Sequence, residues 1–139
     1  MNTAKSLLNE NSLAKTPCRI DMICTLLESD TALTEFEIKQ RIVYDYDRAT
    51  IFRNLKAFLK TGLIHAVSLE GGEVRYQITK TRVNNPVHAH FHCKKCSKVY
   101  CLNELAFKGI TLPKGFTAED YDIVIKGWCP HCNVKSASN

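Results

Sequence analysis

The chain has 139 residues, 19 of them Lys or Arg and 14 Asp or Glu, giving a formal net charge of +5, with 45% hydrophobic and 24% charged residues. These proportions suit a soluble globular chain of one ordinary domain or two very small ones, and the lack of any run of about 18 apolar residues excludes a transmembrane helix. The N-terminal MNTAKSLLNENSLAK has no continuous apolar core and no small-residue cleavage site, so it does not read as a signal peptide and a cytoplasmic protein is expected.

Thr16-Pro17 predicts a helix start with proline in the first turn, followed by Ile20, Ile23, Cys24 and Leu27 on one helical face. Cys18 and Cys24 read there as structural. Leu33-Thr34-Glu35-Phe36-Glu37-Ile38 predicts a second helix start. Thr34 and Glu37 form a capping box, and Leu33 with Ile38 forms a hydrophobic staple. That helix runs to about Val43. After a turn at Tyr44-Asp45-Tyr46, Asp47 caps a third helix with Ile51, Leu55, Phe58 and Leu59 on its buried stripe. Thr50, Arg53, Asn54, Lys56 and Lys60 fall on the other side, and Gly62 ends the helix. Two short helices joined by a tight turn outline a helix-turn-helix. Its second helix enters the major groove by its first turns, placing Arg48, Ala49, Thr50, Phe52 and Arg53 nearest the bases.

Leu63–Leu69 and Glu73–Thr79 read as two strands around Glu70-Gly71-Gly72. A helix-turn-helix followed by a hairpin has the order of a winged helix, with Arg75 on the wing as a phosphate contact. Lys80–Pro86 is polar and ends in proline, which reads as a hinge.

The chemistry changes beyond that point. All the arginines (Arg19, Arg41, Arg48, Arg53, Arg75, Arg82) precede residue 83, whereas Cys93, Cys96, Cys101, Cys129, Cys132, His88, His90, His92 and His131 follow it. The organisation expected is a winged-helix DNA-binding domain at 1–82, a hinge at 83–87 and a metal-binding dimerisation domain at 88–139. A module of about 55 residues is near the size at which a metal or an oligomer is needed to stabilise it. Cys93-x2-Cys96 and Cys129-x2-Cys132 bring four thiolates together, as a tetrahedral structural zinc site requires; His131 reads as a bystander. His88-Ala89-His90-Phe91-His92 reads as a strand with its imidazoles on one face. Lys98–Leu102 reads as a strand carrying Cys101, 103–110 as a short helix, Leu112–Phe116 as a turn and Tyr121–Trp128 as a strand delivering Cys129. Three strands with little cover favour dimerisation through this module.

Taken in order, Ala-Thr-Ile-Phe-Arg-Asn-Leu (49–55), Gly-Leu-Ile-His (62–65), Tyr-Gln-Ile-Thr (76–79), His-Ala-His-Phe-His-Cys-x2-Cys-x-Lys-Val (88–99), Gly-Phe (115–116) and Lys-Gly-Trp-Cys-x2-Cys (126–132) resemble the ferric uptake regulator superfamily over roughly residues 16–132. Within that superfamily the chain is similar to the zinc uptake regulators. The resemblance implies an α/β (α+β) homodimer: an N-terminal winged helix-turn-helix that binds double-stranded DNA at AT-rich inverted repeats, and a small C-terminal α/β dimerisation domain with a four-cysteine zinc site. It implies a repressor that acts when a sensory metal is bound. Cys93, Cys96, Cys129 and Cys132 match the structural zinc ligands, one zinc per chain. Thr50, Phe52 and Arg53 match the DNA-reading helix, with Phe52 standing where the family usually has tyrosine. Arg48, Lys56 and Arg75 complete the expected DNA contacts.

The sensor site matches in part. His88 and His90 match the hinge histidines, Ala32 and Gln77 replace two further ligands, Cys101 replaces a carboxylate, and His65 matches a ligand of zinc-sensing members. A set of His65, His88, His90 and Cys101 is soft, and suits zinc as the second, regulatory metal better than ferrous or manganous ion. The function expected is a zinc-sensing repressor of metal-uptake genes. Iron or peroxide sensing, or a thiol redox switch of Cys101 with Cys18 or Cys24, are the alternatives. No nucleophile–base pair or Gly-rich phosphate loop suggests an enzyme.

Overall fold

The computed structural model describes residues 2–80, 87–102, 111–119 and 121–133. The predicted helix at 103–110 lies outside the described residues, as does the hinge except Val87. Chain contacts divide the molecule into two compact units, Met1–Lys80 and Thr81–Asn139.

The first unit opens with α1 (Asn2–Glu10), a helix beyond those predicted from the sequence. Ala4 and Leu8, one turn apart, are its buried residues. The helix α2 (Pro17–Glu28) starts as expected, with the Thr16 hydroxyl accepting from the Arg19 N–H. Its buried face is rotated from the expected one: Cys18, Met22, Ile23, Thr25 and Leu26 are buried, while Leu27 is exposed. The docking of α1 on α2 adds apolar surface that a reading of α2 alone does not supply.

In α3 (Glu35–Arg41) the capping box of Thr34 and Glu37 is formed in both directions. Leu33 and Ile38 both enter the core. The helix α4 (Arg48–Thr61) is capped by Asp47 and ends at Gly62, which takes the left-handed conformation at φ 78°. Ile51, Leu55 and Phe58 are buried as expected, but Leu59 is exposed and Asn54 is buried. Asn54 sits inside because its amide is satisfied there: Oδ1 accepts from Arg19 Nε at 3.0 Å, and Nδ2 donates to Cys18 Sγ at 3.4 Å. A buried amide with partners costs little, whereas a bare one costs several kcal/mol.

The strands β1 (Ile64–Ser68) and β2 (Val74–Ile78) pair antiparallel through a short 3-10 turn at Glu70–Gly72. Gly71 and Gly72 both have positive φ there, the conformation that glycine adopts at least cost. A bridge between Leu33 and Tyr76, with N–H to O distances of 2.9 and 2.7 Å, fastens the segment before α3 to the wing.

The second unit is a three-stranded sheet in the order β4-β3-β5, with β3 (Val87–Cys93), β4 (Val99–Cys101) and β5 (Tyr121–Gly127). The strand β3 pairs antiparallel with β4 and parallel with β5. Alternation along the strands puts Phe91, Cys93, Tyr100, Ile125 and Gly127 on one face. His90, His92, Val99, Cys101, Val124 and Lys126 take the other. The turn at Pro113–Phe116 forms as expected, with the Phe116 N–H on the Pro113 carbonyl.

Candidate metal centre and nucleic-acid interface

Parallel pairing of β3 and β5 delivers both Cys-x2-Cys knuckles to one end of the sheet. Cys93 is the last residue of β3 and Cys129 follows β5 by two residues. In the first knuckle the Ser97 N–H reaches the Cys93 carbonyl, and in the second the Cys132 and Asn133 N–H groups reach that of Cys129. Each loop thereby folds back on its own first cysteine. The sulfurs of Cys93, Cys96, Cys129 and Cys132 lie within 4.8 Å of one another, and those of Cys96 and Cys129 are 3.8 Å apart. A tetrahedron of sulfur at about 2.3 Å from zinc has edges of about 3.8 Å, so the donor set and its spacing fit a zinc site. His131 is exposed and outside the cluster.

The four thiols differ in how readily they ionise. The Cys96 backbone N–H, helped by those of Cys129 and Lys95, pulls the Cys93 thiol down to about 6 against the opposing effect of burial. Burial opposes ionisation of Cys129 as well, but hydrogen bonds from the Cys132 N–H and the Tyr100 hydroxyl outweigh it and lower that thiol. Cys132 goes the other way. Burial, and its contact with Cys129, push it up to about 12. Ligand thiols must be deprotonated to bind a metal, so a divalent ion at this cluster would favour the thiolate form of all four.

On the other face of the sheet His90 and Cys101 are directly opposite one another on β3 and β4, and their ligand atoms lie within 4.8 Å. His90 is buried and Cys101 half-buried. The backbone of His88 pairs with Asp122. In the first unit His65 is on β1 opposite Gln77, with its Nδ1 3.4 Å from the Thr79 hydroxyl oxygen. Gln77 is buried; its Nε2 donates to the Asp30 carbonyl, and its Oε1 has no hydrogen-bond donor among the described residues. Ala32 is fully buried.

The candidate nucleic-acid face is α4. Arg48 is exposed at its start and pairs with Glu35 at 3.6 Å. Arg53 is exposed and donates to the Thr50 hydroxyl at 3.3 Å. Phe52 is 44% exposed, with the Lys56 ammonium 4.7 Å from its ring centre. Arg75 does not belong to this face, which corrects the expectation that it meets phosphate. It is 7% exposed, and its guanidinium is held by Glu73 at 3.3 Å, Glu37 at 3.7 Å and the Ala32 carbonyl at 3.4 Å. Because Glu37 also caps α3, Arg75 ties that cap to the wing. A position on β2 places a side chain on the buried or the exposed face by its parity, and Arg75 has the buried one.

Fold and site together define a winged-helix regulator carrying a four-cysteine cluster that could hold a metal ion. A family model for the ferric uptake regulator family matches residues 10–124, and the chain belongs to that family. It is a metal-responsive transcription regulator, DNA-binding and metal-binding, and not an enzyme. It is 31% identical over 136 residues to a ferric uptake regulation protein of Staphylococcus epidermidis, covering 94% of this chain and 95% of the relative. The corresponding protein of Staphylococcus aureus is 30% identical over 135 residues, covering 94% and 96%. Among solved structures, a zinc uptake regulator complexed with zinc and DNA has the same fold at a TM-score of 0.69, with 19% identity over 98% of this chain and 94% of that one. The Vibrio cholerae ferric uptake regulator gives 0.64, with 16% identity over 89% and 98%.

Two features escaped the sequence reading. The helix α1 had a signal in the spacing of Ala4, Leu7 and Leu8. Tyr100 had one in strand parity, which puts it on the same face as Cys93.

Proposed function

We propose that the chain is a zinc-responsive repressor of metal-uptake genes that binds AT-rich inverted repeats as a homodimer, with one structural zinc on Cys93, Cys96, Cys129 and Cys132. The regulatory zinc takes His65, His88, His90 and Cys101. The observation that carries the choice of metal is the His90–Cys101 pair: a thiolate opposite an imidazole is a soft donor set, which favours zinc over ferrous or manganous ion. The uncommitted Oε1 of Gln77 beside His65 supports a cation at that end of β1 and β2. Dimerisation is supported by β5, which has a paired neighbour on one side only among the described strands and leaves Ile125 exposed, with Trp128 exposed just beyond it.

Metal binding and operator binding are linked: the metal favours the form of the protein that the operator selects, with a coupling of about 1–3 kcal/mol. The thiol-switch alternative fits less well, because Cys18 is buried and that burial raises its thiol above the ordinary value.

The test is a DNA-binding titration against free zinc and free manganese. His88→Ala with His90→Ala should abolish metal-stimulated binding and leave one zinc per chain. Cys101→Ser should weaken the zinc response more than the manganese response. A double histidine variant that responds to zinc like the wild type would sink the assignment.

A further inference from the structure

A cavity of about 800 Å³ in the first unit has no part in the four-cysteine cluster and meets the candidate nucleic-acid face only at Arg48. It lies between α3, the start of α4 and β2, with Glu35, Phe36, Lys39, Arg48, Val74 and Tyr76 on its walls. The Leu33–Tyr76 bridge joins the segment before α3 to β2 at 2.9 and 2.7 Å, so two of these walls are fastened to each other. The volume is of the size that holds small organic molecules. Phe36 is 67% exposed, although Ile38 two residues on is fully buried. An aromatic ring left in water offers apolar surface that a ligand body can cover.

The charged groups of the cavity are Glu35, Glu73, Lys39 and Arg48. Glu73 commits both oxygens to Arg75, at 3.3 and 3.4 Å. Lys39 is drawn to Asp45 at 3.8 Å. Glu35 and Arg48 are left with each other, 3.6 Å apart, and their needs are unequal. The Arg48 side chain is 85% exposed, so water satisfies it. The Glu35 Oε1 is buried and accepts no hydrogen bond among the described residues, the Arg48 Nε being too distant for one. A carboxylate oxygen cut off from water and without a donor is costly. The cavity therefore lacks a positively charged donor, and an anion would answer nothing in it. The Glu35 side chain as a whole is 24% exposed, so a bound donor reaches its carboxylate from the cavity.

We propose that this cavity binds a small organic amine, whose ammonium donates to the Glu35 carboxylate and whose aromatic or aliphatic body lies against Phe36, Val74 and Tyr76. The two rings add a cation–π attraction. The ammonium replaces Arg48 as the partner of Glu35, and Arg48, at the start of α4, becomes available to a DNA phosphate. This second step rests on the reading of α4 as the nucleic-acid face.

The experiment uses the full-length protein with phenethylamine and two probes of the same shape, neutral phenethyl alcohol and anionic phenylacetate. Ligand-observed NMR titrations are run on wild type, Glu35→Gln and Phe36→Ala. Phenethylamine should bind the wild type saturably, and the alcohol and phenylacetate at least about tenfold more weakly. Glu35→Gln should weaken the amine by about tenfold, the scale of one hydrogen bond to a charged group. Phe36→Ala, at an exposed position, should weaken it by about threefold. The comparison of probes on the wild type stands whatever either substitution does to the fold. In an operator titration, saturating phenethylamine should raise wild-type affinity by about threefold, the scale of one exposed ion pair, and should not act on Arg48→Ala. No saturable binding of the amine, equal binding of phenylacetate, or binding indifferent to Glu35→Gln in a folded variant would overturn the proposal. Binding as expected with no effect on operator affinity would uphold the amine site and overturn the part given to Arg48.

Discussion

Arg53 and Arg75 carry the same group and do opposite work. Arg53 lies in water on α4 with a hydroxyl neighbour, whereas Arg75 is enclosed by two carboxylates and a carbonyl. Arg53→Ala should therefore leave stability nearly unchanged and reduce the steepness of log affinity against log salt by about 1 if the side chain meets phosphate. Arg75→Ala should leave that slope alone and lower stability by about 2 kcal/mol. The figure is smaller than the 3–5 kcal/mol of a wholly buried pair because Glu37 and Glu73 stay partly in water. Urea denaturation together with salt-dependent operator titration of both variants separates the two roles. An unfolded fraction in Arg53→Ala, or a changed slope in Arg75→Ala, would reverse the assignment. The sequence shows both arginines plainly. What it lacks is the surroundings: Glu37 meets Arg75 only because Leu33 bridges to Tyr76.

At the level of elements, caps and knuckles were legible and helix faces less so. Thr16, Thr34, Asp47 and Gly62 act at the ends where short-range chemistry puts them, since a cap depends on its own next few residues. The buried face of α2 depends on α1, and Asn54 turned inward because Arg19 and Cys18 were waiting for it. Such partners are distant in sequence and leave no periodic trace. The cap of α4 has a pH dependence. Hydrogen bonds from the Thr50 side chain and backbone N–H hold the Asp47 carboxyl below its ordinary value. A carboxyl depressed on folding adds stability that is complete above its unfolded value, about 3.9, and disappears as pH falls through the lower folded one. Operator binding by wild type should thus fail earlier on acidification than helix content as a whole, and Asp47→Asn should bind with a flatter acid limb. Parallel acid limbs for the two proteins would remove Asp47 from the explanation.

Across the molecule the two units differ in what sustains them. The first has a core with Leu8, Met22, Ile23, Leu33, Ile38, Ile51, Leu55 and Phe58 all within 2% of full burial. The second has a three-stranded sheet whose deepest side chains among the described residues include two cysteines of the four-cysteine cluster, Cys93 and Cys129. Structural zinc in small sites contributes on the order of 10 kcal/mol of apparent binding free energy, and that is folding energy when the site does not exist in the unfolded chain. Cys93→Ser, or removal of zinc by a chelator, should unfold the second unit while the helical signal of the first persists. Circular dichroism and limited proteolysis with a cut beyond Lys80 would report it. A folded, protease-resistant Cys93→Ser protein holding no zinc would contradict this account.

The parallel pairing of β3 with β5 also fixes an order of events at the ribosome. All of the first unit has been made when Lys80 is added, but the second knuckle closes only with Cys132. At roughly 5–20 residues per second that interval is about 3–10 s. Until Cys129 is added, the chain offers at most the two thiolates of Cys93 and Cys96 from the cluster of four, too few to retain a zinc ion against the cell's other ligands. The nascent chain therefore completes its winged-helix unit before its four-cysteine cluster, and on the proposed function loading of the metal is a late event in the birth of each molecule.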